Sequence, residues 1–246
     1  MTEQAIITTT VNLLQDNIQV SAYLAEPKES GSYPGVVVLQ EIFGVNVHIR
    51  EVTERIAKLG YVAIAPALFQ RQAPGFETGY TPEDIETGRS YAMQTQASQL
   101  LSDIQLAIDY LKNLPQVKKD GFGCIGFCFG GHVAYLAATL PDIKVTASFY
   151  GAGVTSRTPG GGAPTVTRTK DISGTLYAFF GKEDTSIPAE QVAEIEAELE
   201  KYKIPYRVFR YDGADHGFFC DHRASYNPKA AADAWEQVKQ LFGQLN

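Results

Sequence analysis

The sequence is poor in sulfur-containing residues: among 246 residues it has three cysteines and two methionines. Three cysteines cannot all pair within one chain, so a small disulfide-stapled scaffold is excluded and at least one thiol is free. We therefore expect a reducing compartment, the cytoplasm. The balance of 44% hydrophobic and 20% charged residues also excludes a disordered or collagen-like chain.

An excess of basic residues is absent as well. The 21 Lys and Arg residues face 28 Asp and Glu residues, which gives a net charge of −7, whereas non-specific binding of nucleic acid needs a positive surface. Residues 1–20 lack the basic start and apolar core of a secretory signal. The longest uncharged stretch, residues 121–141, contains five glycines, which favours a strand, a turn and a helix. We expect neither a nucleic-acid partner nor a membrane.

Motifs for cofactors and metals are also missing. The sequence has no Walker motif and no G-x-G-x-x-G after its first strand, so no nucleotide cofactor is expected. Cys124 and Cys128 have neither C-x-x-C spacing nor an obvious second pair of ligands, so no metal site is expected.

Short β-branched segments alternate with longer segments whose apolar residues have helical spacing. The candidate strands are residues 6–10, 18–24, 35–40, 61–65, 122–126, 145–150, 175–181 and 206–211. The candidate helices are residues 47–59, 97–114, 129–139, 188–202 and 228–245. This order predicts an α/β fold, a mostly parallel sheet of about eight strands with helices on both faces. Without a repeat or a long linker, we expect one domain over residues 1–246, monomeric by default.

Two segments fit neither pattern. Residues 69–90 contain proline, glycine and several charges, and we expect them to cover a pocket. Residues 151–170 contain the sequence TPGGGAPT, which is typical of a flexible surface loop. Loops positioned by a rigid sheet commonly carry binding groups.

The most informative segment present is FGCIGFCFGGH, residues 122–132. It places the pattern G-x-C-x-G, centred on Cys128, between a predicted strand and a predicted helix, as in a nucleophile elbow. Such a turn needs small neighbours, which gives Gly126 and Gly130 a steric reason. The alternative is a glycine-rich turn around a buried cysteine, because cysteine is among the most buried residue types.

A thiol nucleophile needs a base and an orienting acid. His216 follows the last predicted strand, and Asp184 follows an earlier one, so the chain order is nucleophile, acid, histidine. Glu183 is the nearest rival of Asp184, whereas Asp215 is badly placed to orient its own neighbour. Taken singly, His216 has the alternative interpretation of a solvated loop residue, and Asp184 that of a helix-capping carboxylate.

The segment after the predicted strand 35–40 supplies the last element. In this pattern, one oxyanion-hole N–H comes from that loop and the other from the residue after the nucleophile. These rules nominate the backbone amides of Ile42 and Phe129. Glu41 would then lie near Cys128 and oppose thiolate formation, although a surface position at the strand end is an equal alternative.

The remaining histidines and cysteines have simpler interpretations. Cys124 is expected in the core and His132 as a packed helix residue. Cys220 is expected to have a small packing role. His48 and His222 are expected on the surface.

With these residues assembled, the chain resembles the dienelactone hydrolase (carboxymethylenebutenolidase) family. The segments QEIFGVN at 40–46, RQAPG at 71–75, the cysteine elbow and GADHGFF at 213–219 carry the resemblance. It implies an α/β-hydrolase fold and a Cys-His-Asp triad, Cys128, His216 and Asp184, that hydrolyses a cyclic enol ester through a thioester without a cofactor. It also implies that Glu41 contacts the resting thiol and takes its proton when substrate binds.

The sequence departs from this family at the groups that grip the substrate carboxylate. The resembled enzymes use one arginine downstream of RQAPG and another four residues after the histidine, where this chain has Cys220; they also have serine where this chain has Gly217. We expect a carboxylate-bearing ester or lactone as the substrate and nominate three arginines as its ligands: Arg71, Arg89 and Arg223.

Other functions remain open at this point. A carboxylesterase of different specificity would keep the same triad. A binding protein for small anions would keep the fold without turnover. A redox sensor would use the accessible thiol of Cys128 at a helix N-terminus.

Overall fold

The computed structural model describes residues 4–15 and 18–246 of the chain. The described residues form one sheet with the strands β1 (Ile6–Gln15), β2 (Ile18–Pro27), β3 (Tyr33–Leu39), β4 (Val62–Pro66), β5 (Val117–Phe127), β6 (Ile143–Phe149), β7 (Thr175–Gly181) and β8 (Tyr206–Tyr211). The helices are α1 (Val47–Lys58), α2 (Pro82–Met93), α3 (Ala97–Asn113), α4 (Phe129–Ala137), α5 (Ala189–Lys201) and α6 (Pro228–Phe242).

The strand order is β1-β2-β4-β3-β5-β6-β7-β8. The pairs β1–β2 and β2–β4 are antiparallel, and every later pair is parallel. This order confirms the expected mostly parallel α/β sheet. Because the carboxyl ends of parallel strands meet at one edge, the segments after β3, β5, β7 and β8 lie together there.

Helices cover both faces of the sheet. Successive side chains of β3 enter different core clusters: Val36 and Val38 belong to the one that includes residues of α1 and α6, whereas Val37 and Leu39 belong to the one that includes residues of α3 and α4. Side chains alternate between the two faces of a strand. Because both faces of β3 are buried, its sequence is a continuous apolar run. None of the described helices is long and apolar enough to cross a membrane.

The two unassigned segments are more ordered than the sequence predicts. Helix α2 begins after Thr81, whose side chain and that of Asp84 form a reciprocal capping box, and it was not among the expected helices. In the second segment, a 3-10 helix over Thr165–Asp171 buries Thr165 and Thr169. The expectation of a flexible surface loop throughout 151–170 is therefore wrong for its C-terminal part.

Candidate active site

Cys128 is the single residue between β5 and α4. Its backbone has φ of 55° and ψ of −116°, a strained conformation for a residue with a side chain. Its N–H donates to the carbonyl oxygen of Phe149 at 3.0 Å, and its own carbonyl oxygen accepts from Gly131 and His132 at the start of α4. These bonds hold the elbow in place and leave the thiol partly exposed on a cavity wall.

The glycines around the elbow are required by close backbone approach. A Cβ atom at Gly126 would overlap the carbonyl oxygen of Gly130, and one at Gly130 would overlap the carbonyl oxygens of Leu39 and Gln40. Larger residues would therefore separate β5 and β3 from α4. The steric reason deduced from the sequence agrees with these contacts.

His216 and Asp184 meet at the same edge of the sheet. The Nδ1 atom of His216 lies 2.7 Å from Oδ2 of Asp184, whose side chain is 1% exposed. The other carboxylate oxygen of Asp184 accepts from the backbone N–H of Ser186 at 2.8 Å. The rival Glu183 is exposed, and Asp215, also exposed, accepts from the backbone N–H of His216 instead of its ring.

The electrostatic surroundings of His216 favour its protonated form. Burial alone would lower the pKa of this imidazole, but the adjacent sulfur of Cys128 and the carboxylate of Asp184 outweigh burial and raise it to about 10. The structure thus couples the charge of the ring to both neighbours. An imidazole in this position can hold a proton taken from the thiol.

Glu41 follows β3 and is completely buried. Its Oε1 atom accepts from Nη1 of Arg223 at 3.1 Å, and its Oε2 atom has no partner among the described groups. Burial raises the pKa of this carboxyl group, whereas the positive charges of Arg223 and His216 lower it. The alternative surface position for Glu41 is therefore wrong.

Arg223 lies beside Gly217, one of the departures from the resembled family. Gly217 has a φ of 81°, and a Cβ atom there would overlap the Arg223 guanidinium. The guanidinium also lies 5.7 Å from the ring centre of Phe43 and 6.0 Å from that of Tyr80. A glycine after the histidine therefore leaves the space that this arginine fills.

The site borders a cavity of about 750 Å³. Its wall includes Cys128, His216, Ile42, Phe129 and Arg223. The backbone N–H groups of Ile42 and Phe129 donate to no protein group among those described, so both remain available to an oxyanion. Side chains of α2 also line the cavity, as expected for a segment covering a pocket.

The structure separates the two other nominated arginines. Arg89 on α2 is exposed, lines the cavity, and has no side-chain partner among the described residues. Arg71 does not reach the cavity wall; its guanidinium binds the buried carboxylate of Asp103 on α3 through two hydrogen bonds of 3.1 and 2.5 Å. This pairing attaches the segment after β4 to α3.

Sequence reasoning missed Tyr150, which directly follows β6. Its φ is 36°, its ring centre lies 5.2 Å from that of His216, and its buried hydroxyl has no partner among the described groups. Burial, followed by the charge of Glu41, raises the pKa of this hydroxyl well above 10.0, and Cys128 contributes in the same direction. The only local signal was a tyrosine before a glycine at a strand end.

A second missed feature is a buried group of possible metal ligands. Glu41, His48 and Cys220 each place one donor atom within 4.8 Å of the others. These donor types suit Zn²⁺, but the guanidinium of Arg223 already binds Glu41 and its positive charge opposes a cation there. The expectation that His48 lies on the surface is wrong, because its ring packs against Phe127 and is 2% exposed.

Comparison with known proteins identifies the family. The sequence model described as the dienelactone hydrolase family matches residues 20–246. A Synechocystis relative, provisionally named a carboxymethylenebutenolidase, is 60% identical over 237 residues, which cover 96% of this chain and 96% of the relative. A Bradyrhizobium protein, provisionally named a 2-oxo-3-(5-oxofuran-2-ylidene)propanoate lactonase, is 31% identical over 221 residues, covering 88% of this chain and 86% of that protein.

A solved structure supports the same assignment. The crystal structure of a provisionally named dienelactone hydrolase from Klebsiella pneumoniae has a TM-score of 0.89 and 31% sequence identity, with 98% of this chain and 100% of that chain covered. The match therefore extends over essentially the whole of both proteins. The chain belongs to the dienelactone hydrolase family, and it is an α/β-hydrolase that acts on a lactone or another carboxylic ester.

Proposed function

We propose that Cys128, His216 and Asp184 form the catalytic triad of a hydrolase for carboxylate-bearing lactones and enol esters. The observation that carries this proposal is the strained elbow, which presents the Cys128 thiol on the cavity wall beside an imidazole held by Asp184 at 2.7 Å. A nucleophile, a base and an orienting acid in this relation are the requirements for acyl transfer.

In the first half of the reaction, His216 holds the thiol proton while the sulfur of Cys128 bonds to the carbonyl carbon. The N–H groups of Ile42 and Phe129 stabilise the oxyanion of the tetrahedral intermediate. The bond between that carbon and the ring oxygen then breaks. The leaving enolate oxygen takes the proton from His216, and the acyl group remains on Cys128 as a thioester.

In the second half, His216 takes a proton from water, and the resulting hydroxide attacks the thioester carbonyl. The carbon–sulfur bond breaks, the carboxylic acid product leaves, and the sulfur recovers a proton from His216. Asp184 keeps the imidazole in the required tautomer and stabilises its protonated form during both steps. Each step needs only protein groups and water.

Arg223 and Arg89 bind the carboxylate of the substrate in this proposal. The names of the two relatives describe butenolide or furanone lactones that bear an acid side chain, and arginine matches a carboxylate with two parallel hydrogen bonds. Because Arg223 already binds Glu41 at 3.1 Å, a substrate carboxylate competes with Glu41 for this guanidinium. Glu41 released in this way is free to accept the thiol proton first, as the family resemblance implies, and that proton then passes to His216, which delivers it to the leaving enolate.

The test is hydrolysis of cis- and trans-dienelactone beside neutral aryl esters by the wild type and by Cys128→Ala. We expect kcat/KM of the variant to fall by about 10³-fold or more, and mass spectrometry of the wild type to trap an acyl group on Cys128. Cys124→Ala is the matched control, since Cys124 is a buried thiol of the preceding strand, and it should keep activity.

The outcomes separate the candidate functions. Full activity in Cys128→Ala would exclude the triad. Cys128-dependent turnover of aryl esters alone would support a carboxylesterase and exclude the lactone substrate. Saturable anion binding without turnover of any ester would favour the binding protein.

We also propose a cytoplasmic monomer that folds as one domain. The three cysteines are all free, which suits a reducing compartment. Light scattering coupled to size exclusion should give about 26.9 kDa, and a mass near twice that value would exclude the monomer.

A further inference from the structure

The cavity is larger and more positively charged than one small lactone requires. Its volume of about 750 Å³ suits a ligand with the size of a typical drug molecule. Three arginines line it, Arg89, Arg157 and Arg223, and no Asp or Glu side chain of the described chain does so. In a protein of net charge −7, this wall has the opposite sign to the molecule as a whole.

Arg157 belongs to none of the interactions described above. Its side chain has no hydrogen-bond or ion-pair partner among the described residues. Its guanidinium instead lies over the backbone of Gly153, where a Cβ atom would stand 2.7 Å from Nε and 2.9 Å from Cζ. Glycine at this position, with a φ of 87°, therefore gives the arginine room to lie against the cavity wall.

A buried histidine fixes the segment that carries Arg157 to the nucleophile helix. Nδ1 of His132 lies 3.0 Å from the carbonyl oxygen of Ala152, and Nε2 lies 2.7 Å from Oγ1 of Thr165. A carbonyl only accepts, so Nδ1 carries the proton and Nε2 accepts from the Thr165 hydroxyl. The backbone N–H of Thr165 in turn donates to the carbonyl oxygen of Arg157 at 3.1 Å.

This chain of hydrogen bonds sets the distance between Arg157 and the elbow. His132 is 3% exposed and its backbone N–H donates to the carbonyl oxygen of Cys128, so both ends of the segment 152–165 are attached one helical turn from the nucleophile. These bonds fix the backbone of Arg157, and its exposed, unpartnered guanidinium lies against the cavity wall, where it is open to an anionic ligand.

We infer that Arg157 determines specificity by binding a second carboxylate of the substrate, remote from the bond that breaks. The preferred substrates are then lactones or esters that keep two free carboxylates besides the bond that breaks, with one carboxylate on Arg223 and the other on Arg157. The planar fork of a guanidinium matches a carboxylate. The inference rests on the proposed function for the bond that is broken, and on the cavity alone for the binding of the anion.

The first experiment measures binding without turnover. Isothermal titration calorimetry compares linear dicarboxylates from succinate to suberate with monocarboxylates of equal length, on wild type, Arg157→Ala and Arg168→Ala. Arg168 is the matched control, because it is a partly exposed arginine of the following 3-10 helix that faces Asp171 and does not line the cavity. We expect the wild type to bind its best dicarboxylate about tenfold more tightly than the matching monocarboxylate.

Arg157→Ala should abolish that advantage, and Arg168→Ala should preserve it. Thr165→Val keeps the arginine but removes the hydroxyl that binds His132, and it should reduce the advantage. An advantage that persists in Arg157→Ala, or no advantage in the wild type, would overturn the inference.

The second experiment uses hydrolysis. The p-nitrophenyl monoesters of tricarboxylic acids, which keep two free carboxylates, are compared with the p-nitrophenyl hemiesters of dicarboxylic acids, which keep one. Arg157→Ala should raise KM about tenfold for the esters with two carboxylates and leave kcat and the KM of the hemiesters unchanged. If hydrolysis depends on Cys128 but Arg157→Ala leaves the selectivity between the two kinds of ester unaltered, the inference is overturned while the proposed function stands. Arg157-dependent dicarboxylate binding without hydrolysis of any ester would support the inference and overturn only the proposed function.

Discussion

Asp184 uses one carboxylate oxygen to orient His216 and the other to fix its own loop. One oxygen binds the His216 ring at 2.7 Å, and the other accepts from the backbone of the loop that carries it, at Ser186. Its two sequence rivals, Glu183 and Asp215, are exposed. Chain order and position after a strand made Asp184 the preferred acid, but only the folded contacts separate it from Glu183, which is adjacent in sequence.

The first prediction concerns this carboxylate. We expect Asp184→Asn to reduce kcat by about 10²- to 10⁴-fold, because an amide can donate to Nδ1 and so stabilise the wrong tautomer of His216. Asp215→Asn is the matched control and should keep kcat within about threefold, since this carboxylate accepts only from a backbone N–H. Steady-state kinetics on one aryl ester decides the matter, and equal losses in both variants would contradict the prediction.

A second prediction concerns the ion pair between Glu41 and Arg223. Arg223→Ala leaves a fully buried carboxylate without its cation, and we expect the free energy of unfolding to fall by about 3 kcal/mol. The double variant Glu41→Gln with Arg223→Ala removes the uncompensated charge and should recover most of that loss. Urea unfolding of the four proteins of the cycle measures the coupling. Strictly additive losses would show that the pair is not coupled.

At the scale of elements, sequence patterns predicted those parts of the fold whose reasons are local. The elbow could be predicted from the sequence because its glycines are required by close contact with backbone atoms a few residues away or on the next strand. Helix α2 was missed because it buries only Gly88 and therefore has no apolar stripe. The capping box of Thr81 and Asp84 and the proline Pro82 in the first turn were the only local signs.

The 3-10 helix after residue 164 was missed for a different reason. Its hydroxyls are buried because distant residues accept or donate hydrogen bonds to them: His132 binds Thr165, and Tyr135 binds Thr169. A segment rich in glycine, threonine and proline is typical of a loop. Sequence alone does not show that α4 supplies the partners that allow such polar side chains to be buried.

The third prediction separates two arginines that the sequence could not distinguish. Arg71→Ala breaks the attachment of the segment after β4 to Asp103 on α3, so we expect the free energy of unfolding to fall by about 2 kcal/mol while KM changes little. Arg89→Ala should leave stability unchanged, because the side chain is exposed and has no partner among the described residues, and should raise KM for carboxylate-bearing esters about tenfold.

Urea unfolding and kinetics on paired charged and neutral esters test both variants. A selective rise of KM in Arg71→Ala would return Arg71 to the list of substrate ligands. An Arg89→Ala variant that loses stability but not affinity would remove Arg89 from it.

For the molecule as a whole, the four histidines differ in how they link pH to stability. Burial lowers the pKa of His48 and of His132 to about 4, because an imidazolium is costly where water is excluded. His222 is partly exposed, and the carboxylate of Glu51 raises its pKa. His216, with its pKa raised to about 10, is already protonated in the folded protein. Proton uptake on unfolding therefore comes from the two buried rings and not from His216 or His222.

The direction in which stability changes with pH follows from these lowered pKa values. At pH values between about 6.5 and 4, the unfolded chain protonates both rings while the folded protein keeps them neutral, so stability falls as the pH falls through this window and these rings add no further loss below it. The fall of each pKa from 6.5 to about 4 corresponds to about 3 kcal/mol per ring. Urea unfolding from pH 7 to pH 4.5 should show this slope of the free energy of unfolding against pH.

Replacing either buried ring, by His48→Gln or His132→Gln, should reduce the slope by about one proton. This holds whatever the effect of the replacement on stability at pH 7. His222→Gln should not reduce the slope. An unchanged slope in both buried variants would mean that these rings are already protonated in the folded protein.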